Sequence, residues 1–268
     1  MLRLLIMRHR PFSISLLLLT ICLASGAAAQ QYDRRDFETV LVPLATRDLP
    51  GVGGSLWRTN LYVHHEFEPI TVLGYDTRDP LILAPGRTYT APLFLTDSGD
   101  PAGALLYVDK RIADTTHYDL RVRDVSQDST GPGVAVPVVR ERELLTSAAY
   151  LLAVPCDLRF RRMLRVYSPL VETSTSFLVT VTDDLRGAVI YNAHWQLLPP
   201  TKSLIVPGMT VPRQPAERDI SLDQVVPNLS TYNSVTVTVR PDDPAERFWS
   251  FVSVTDNVTQ QVALVVPH

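Results

Sequence analysis

Cysteine is almost absent from this chain of 268 residues, which has only two. Cys22 lies in an N-terminal segment that we expect to be removed, so Cys156 has no partner for an internal disulfide. A fold without a cross-link depends on the burial of apolar side chains. Cys156 follows an apolar run, and no histidine is near it in sequence. We therefore predict a small buried residue and not a catalytic thiol.

Lysine is also scarce, since only Lys110 and Lys202 stand among 25 basic residues, and the formal net charge is −3. A dedicated nucleic-acid-binding protein carries an excess of basic residues on one face, and this balance argues against that class. Hydrophobic residues make up 46% of the chain. That fraction is ample for packed cores and excludes a disordered or collagen-like chain.

Long apolar runs are missing as well. Residues 12–24 form an apolar stretch of 13 residues, shorter than the ~20 that a membrane-spanning helix needs. Three arginines precede the stretch, and small residues follow it up to Ala29. This pattern predicts a signal peptide over residues 1–29, cleaved near Ala29, and a secreted or periplasmic protein without a membrane span. Cleavage changes the formal net charge to about −6.

No segment outside residues 219–226 shows helical periodicity, and we expect a single helical turn there. The remaining segments are short, rich in Val, Leu, Thr, Tyr and Arg, and separated by Gly, Pro, Asp or Asn, which predicts strands and turns. Residues 120–125 alternate between apolar and basic, as in a strand with one solvent-exposed face. The predicted strands span residues 39–43, 57–66, 70–75, 87–94, 104–110, 118–125, 134–139, 150–154, 158–167, 176–182, 187–196, 202–206, 234–239, 248–255 and 260–266.

This density of short strands predicts an all-β fold with two tandem antiparallel β-sandwich domains, over residues 30–140 and 141–268. A parallel sheet needs crossover helices, for which the chain has no candidate segments. The charged stretch that begins at Arg140 marks the expected joint between the two domains.

Three segments support a family resemblance: residues 137–143 at the joint, residues 160–167 after it, and the closing residues 248–257. The chain resembles uncharacterised secreted bacterial proteins built from two immunoglobulin-like sandwiches. The resemblance implies a fold and no particular activity. The architecture is also similar to that of periplasmic pilus chaperones, although their paired basic anchor residues have no match here.

The cluster His64, Glu66 and Glu68 shares one face of a predicted strand. These side chains are of the types that bind zinc. Alternate side chains on a strand stand ~7 Å apart, which is wide for one ion, so we expect a solvated face. The acidic pairs at Asp97 and Asp100, at 183–184 and at 242–243 predict turns and not calcium sites.

The basic run at Arg159, Arg161, Arg162 and Arg165 allows two interpretations. It is either an anion- or glycan-binding face or, as we expect, an exposed strand face or edge on which charge opposes aggregation. The three tryptophans are expected in cores or at sandwich edges, and they are Trp57, Trp195 and Trp249.

Motifs of nucleophilic, zinc-dependent or phosphate-binding enzymes are missing from the sequence. We therefore assign no catalytic, cofactor-binding or metal-binding residues. The predicted function is that of a non-enzymatic binding, adhesion or structural protein whose partner is an unknown protein or glycan. Two alternatives stay open: a secreted glycan hydrolase whose acids meet only in the folded chain, and a periplasmic chaperone-like protein.

Overall fold

The computed structural model describes residues 31–46, 48–67, 69–73, 81–92, 102–126, 131–171, 173–200 and 203–268. The predicted signal peptide lies outside the described residues, as do Glu68 and the acidic turn around Asp97 and Asp100. These expectations stay predictions.

The described chain is all-β, as predicted, with twenty strands and one helical turn, Leu222–Val225. The strands of the first half are β1 (Phe37–Ala45), β2 (Leu49–Pro50), β3 (Leu56–His65), β4 (Ile70–Leu73), β5 (Leu81–Leu83), β6 (Arg87–Pro92), β7 (Ala102–Asp109), β8 (Thr116–Asp124), β9 (Val134–Val136) and β10 (Val139–Arg140). Those of the second half are β11 (Ala149–Pro155), β12 (Phe160–Ser168), β13 (Thr175–Asp183), β14 (Val189–Leu197), β15 (Ser203–Val206), β16 (Met209–Pro212), β17 (Ala216–Ser221), β18 (Ser234–Pro241), β19 (Trp249–Asp256) and β20 (Val262–Val265). Short 3₁₀ turns cover Arg34–Asp36, Val52–Gly54, Ala113–Thr115, Glu141–Glu143 and Leu229–Thr231.

Every predicted strand overlaps an observed one, and the helical turn lies inside the predicted span. Four observed strands were not predicted from the sequence: β2, β5, β16 and β17. β2 and β5 have only two and three residues, too few for an alternation to show. β17 reads Ala-Glu-Arg-Asp-Ile-Ser, and three consecutive charged residues interrupt the alternation that would mark a strand.

Every strand pairing is antiparallel, and four large sheets form two layered pairs. Sheet I has the order β10-β1-β7-β4-β5, and sheet II the order β2-β3-β8-β9 with β6 also paired to β3. Side chains from both sheets build the first core; Val40 and Leu106 come from sheet I and Leu61 and Leu120 from sheet II. This arrangement has β-sandwich character.

Sheets III (β11-β18-β13-β14) and IV (β17-β12-β19-β20) enclose the second core. Phe177 and Phe248 lie at its centre with ring centroids 5.1 Å apart. Trp195 is buried in this core, as predicted, and so is Cys156. Burial raises the pKa of the Cys156 thiol to about 11, so the thiol is protonated and inert at neutral pH.

The hairpin β15–β16 joins the two halves. It comes from the second half of the chain, yet its alternate side chains pack in the first core. The Tyr107 hydroxyl donates to the Pro212 carbonyl at 2.6 Å, and the Leu105 N–H donates to the Arg213 carbonyl at 3.0 Å. The buried side chains of the hairpin are Leu204, Val206, Met209 and Val211.

Sheet IV turns its outer face toward the first half of the chain. Tyr167 and Phe251 project from it, stacked with centroids 6.2 Å apart, and both belong to the first core. The Tyr167 hydroxyl donates to the Pro43 carbonyl. The chain leaves sheet I at Arg140 and enters sheet III at Ala149, and the domain division expected near this point stays a prediction.

The described part of the chain has no helix with the length and hydropathy that crossing a membrane requires.

Candidate functional site: a two-faced cleft on sheet IV

A cleft of about 430 Å³ lies between the outer face of sheet IV and the β2 side of the first half. Its two walls differ in chemistry. The wall from the first half is mainly apolar and is formed by Leu44, Thr46, Leu49, Pro50, Gly51, Val52, Trp57 and Val122. The wall from the second half is mainly polar and is formed by Arg161, Arg162, Met163, Arg165, Asp219, Ser221, Gln224, Ser253, Thr255 and Val262.

The alternation of β12 produces the polar wall. Leu164 and Val166 point into the second core and are fully buried, whereas Met163 and Arg165 point to the cleft. One strand thus supplies both an apolar face for the core and a polar face for the cleft.

Arg162 does not follow the predicted pattern of an exposed basic run, since its side chain is only 1% exposed. It donates to the carbonyl oxygens of Pro155 at 3.0 Å and Phe160 at 2.7 Å, and it pairs with Asp223 at 2.5 Å. Arg162 therefore closes the end of the second core. The expectation of a solvated residue is wrong here because the sandwich end has free carbonyls that a guanidinium satisfies.

Of the two expected positions of this run, an exposed strand face or an edge, the structure excludes the edge. β12 pairs with β17 on one side and with β19 on the other, so it is an interior strand. Arg159 forms an ion pair with Asp256 at 2.5 Å, and Arg161 donates to the Gln260 side-chain oxygen at 3.1 Å.

Arg165 lies at the floor of the cleft. Its Nη1 donates to the Ser253 hydroxyl at 2.8 Å, and its guanidinium carbon lies 5.8 Å from the centroid of the Phe251 ring. The Arg165 Nε is buried and has no hydrogen-bond partner in the described part of the chain. Asp219 lies opposite in the strand register and is exposed. This Nε therefore lies below the accessible surface of the cleft floor.

Thr46 carries a second unused polar group. The residue is 4% exposed, and its hydroxyl has no partner among the described residues. Its backbone is satisfied, because the Thr46 N–H donates to the Thr59 hydroxyl at 3.2 Å and its carbonyl accepts from the Thr59 N–H at 2.9 Å. A buried hydroxyl without a partner costs about 1–3 kcal/mol.

Glu217 lies at the junction of the two halves, two residues before Asp219. Its Oε2 accepts a hydrogen bond from the Gly103 N–H at 2.6 Å. Burial, with the nearby Asp219 charge, raises the pKa of Glu217 to about 7. Glu217 is not among the lining residues, so Asp219 is the one carboxylate that lines the cleft within the described chain.

The predicted cluster at the end of β3 is divided by the structure. His64 is half-buried on the outer face of sheet II, where its Nδ1 lies 3.2 Å from the Thr88 hydroxyl. His65 is buried, with Nδ1 3.2 Å from the Thr115 carbonyl. Glu66 follows the strand and is exposed. In the described ranges, no three His, Cys, Asp or Glu side chains come together as a metal-binding group.

The described acidic pairs form turns, as predicted. Asp183 accepts from the Leu185 N–H at 3.0 Å and Asp243 from the Ala245 N–H at 2.8 Å. Asp184 accepts from two hydroxyls of β18, and Asp242 contacts Ser176 and His194. Their carboxylate oxygens are therefore engaged in hydrogen bonds within the protein.

Sequence reasoning missed the cleft because its residues are distant in the chain. Thr46 stands at the end of an apolar strand, and nothing in its neighbourhood marks it as functional. Trp57 was expected in a core or at an edge and is half-buried, as is Trp249. Only the packing of β2 against sheet IV brings Trp57 and Arg165 to one cavity.

Comparison with known proteins finds no family model, curated protein or solved structure that matches the chain.

Proposed function

We propose that this chain is an exported, non-enzymatic binding protein built from two immunoglobulin-like sandwiches, and that the two-faced cleft holds its ligand. The observation that carries the proposal is a cavity of ligand size that combines an apolar wall with arginines. Ligand sites are typically concave and mostly apolar, with a few polar groups that orient the ligand. The volume of about 430 Å³ falls within their usual range.

The charge of the cleft favours an anionic ligand. Asp223 neutralises Arg162, which leaves Arg161 and Arg165 against the single carboxylate of Asp219. The local charge is therefore positive in a chain whose net charge is negative. An arginine donor beside hydroxyl groups suits a carboxylate.

The opposite wall defines the rest of the ligand. Leu44 and Val122 are each 8% exposed, and Val52 is 64% exposed at the rim. These side chains are mostly aliphatic, which favours an aliphatic body over a sugar ring. The ligand class that fits both walls is an amphipathic carboxylate.

Binding is favoured over glycan hydrolysis by the carboxylate content of the cleft. Glycosidases use two acids that face one another across the scissile bond. Asp219 lines the cleft alone within the described chain, and Glu217 is engaged with the Gly103 N–H. The second acid that hydrolysis requires is therefore not available there.

The test is calorimetric titration of residues 30–268 with decanoate, decanol and an acidic oligosaccharide, with tryptophan fluorescence as a second signal because Trp57 lines the cleft. We expect decanoate to bind and decanol to bind about tenfold more weakly, because the charged hydrogen bond is lost. Arg165→Gln should weaken decanoate binding about tenfold. Arg121→Gln, on the outer face of sheet II, is the matched control and should change nothing.

Failure of all three compounds to bind would overturn the cleft as a ligand site. Release of a reducing sugar from the oligosaccharide would overturn the non-enzymatic function and favour the hydrolase. Determination of the N-terminus of the exported protein tests cleavage near Ala29 independently.

A further inference from the structure

Two histidines from distant parts of the chain stand opposite each other on sheet II. The β3–β8 register pairs His64 with His117 directly. Side chains that face each other on adjacent antiparallel strands project from the same face, with Cβ atoms ~4.5–5.5 Å apart. His64 is half-buried and His117 is exposed. Both imidazoles thus project to solvent from one point of the sheet.

The surface around the pair forms a depression of about 330 Å³. Tyr62, Thr88 and Asp119 line it with the two histidines, and so does Tyr118. Its residues come from β3, β6 and β8, three strands held in register by backbone pairing. The depression has room for an ion that retains part of its hydration shell.

The contact of His64 with Thr88 bears on which ring nitrogen is available to a metal ion. Its Nδ1 lies 3.2 Å from the Thr88 hydroxyl. In the tautomer that donates its Nδ1 proton to Thr88, the Nε2 lone pair is free to bind a metal ion. Histidine ligands of metal ions commonly donate their other ring N–H in this way, which fixes the tautomer and the ring orientation.

The neighbouring carboxylate is already engaged. Asp119 accepts from the Arg121 guanidinium at 2.8 Å. In the described ranges, no three His, Cys, Asp or Glu side chains come together around one metal position. The protein ligands are therefore two imidazoles, and water would complete the coordination. Imidazole nitrogens suit Zn²⁺ and Cu²⁺, whereas Ca²⁺ and Mg²⁺ require oxygen ligands.

We propose that His64 and His117 form a surface site for a divalent transition-metal ion, Zn²⁺ or Cu²⁺, on the outer face of sheet II. This departs from the sequence-based expectation of no metal site, which considered His64 with Glu66 and Glu68 along one strand. The partner of His64 lies across the sheet instead. The site is separate from the cleft and does not depend on the proposed ligand.

The experiment is calorimetric titration of the untagged chain, residues 30–268, with ZnCl₂ and separately with CuCl₂. We expect one ion per chain. His64→Asn and His117→Asn should each weaken binding by about tenfold or more, and Thr88→Val by less. His194→Asn is the matched control, because His194 is also exposed on a strand but pairs with Asp242; it should bind like the wild type.

Histidine resonances in NMR spectra provide a measurement that needs no variant. Zn²⁺ should shift the imidazole signals of His64 and His117 and leave that of His65 unchanged. Unchanged affinity in either His64→Asn or His117→Asn, or an equal loss in His194→Asn, would overturn the proposal. Mg²⁺ should give no heat, and binding of Mg²⁺ at the same stoichiometry would contradict an imidazole site.

Discussion

At the scale of single residues, buried polar groups decide how the junction responds to pH and mutation. Glu217 and Arg162 are two such side chains with different hydrogen-bond partners. Arg162 is buried with carbonyl and carboxylate partners on several sides, whereas Glu217 accepts a backbone N–H and is also close to the like charge of Asp219. The donors of Arg162 are thus satisfied, whereas burial shifts Glu217 toward its neutral form.

Glu217 should make stability fall with rising pH. Its pKa of about 7 in the folded chain lies above the ordinary value of about 4.3. The favourable contribution of the protonated form is therefore complete below about pH 4 and is lost as pH rises through 7. Glu217→Gln should leave stability unchanged near pH 4 and raise it by roughly 1–3 kcal/mol at pH 8. Urea unfolding between pH 4 and 8 measures this, with the exposed Glu66→Gln as the control for loss of one charge.

If the free energy of unfolding of the wild type and of Glu217→Gln changed with pH in parallel, the pKa of Glu217 would be the same in the folded and unfolded chain.

Arg162→Ala should be strongly destabilising. The substitution leaves Asp223 and the carbonyls of Pro155 and Phe160 without their donor, and breaking such a buried pair costs about 3–5 kcal/mol. Arg161→Ala, one position along the strand and facing the cleft, should cost less than about 1 kcal/mol. The midpoint of urea unfolding measures both, and similar losses for the two variants would contradict the buried role of Arg162.

At the scale of elements, the hairpin β15–β16 links the halves more directly than any other segment described. It lies between strands of sheets III and IV in the sequence, but its apolar face belongs to the first core. Sheet IV also links the two halves, because Tyr167 and Phe251 project from its outer face into that core. The junction is therefore largely apolar at its centre, where Glu217 and the Tyr167 hydroxyl are hydrogen-bonded polar groups.

The two faces of β15 allow a direct test of whether the hairpin packs on the first core. Leu204 is 6% exposed in the first core and Ile205 is 75% exposed at the surface. Leu204→Ala should lower the free energy of unfolding by about 2–5 kcal/mol, because it leaves a cavity. Ile205→Ala should change it by less than about 0.5 kcal/mol. Equal effects in chemical denaturation would mean that the hairpin does not pack on the first core in solution.

At the scale of the whole molecule, the shared apolar junction couples the two cores. A hydrophobic interface between two halves makes their unfolding cooperative, whereas a linker of polar residues leaves them independent. The hydrogen bonds from Tyr167 to Pro43 and from Gly103 to Glu217 add polar links across the same junction.

We expect a single calorimetric transition for residues 30–268, with the calorimetric and van't Hoff enthalpies equal. Leu204→Ala should shift that one transition to lower temperature and not split it. Because Cys156 is buried alone, a reducing agent should leave the melting temperature unchanged. Two separate transitions in the wild type would show that the halves unfold independently.

The sequence by itself determined the all-β class, the place of nearly every strand, the helical turn and the burial of Cys156. These properties follow from local periodicity and from composition, which act within a few residues. It could not reveal that His64 faces His117, that Arg162 is buried between carbonyls, or that β15–β16 enters the first core. Those facts depend on which distant segments pair, and alternation along one strand is the same whatever lies beside it. Only the tertiary structure decided the cleft and the histidine pair, because both are made by contacts between segments far apart in the chain.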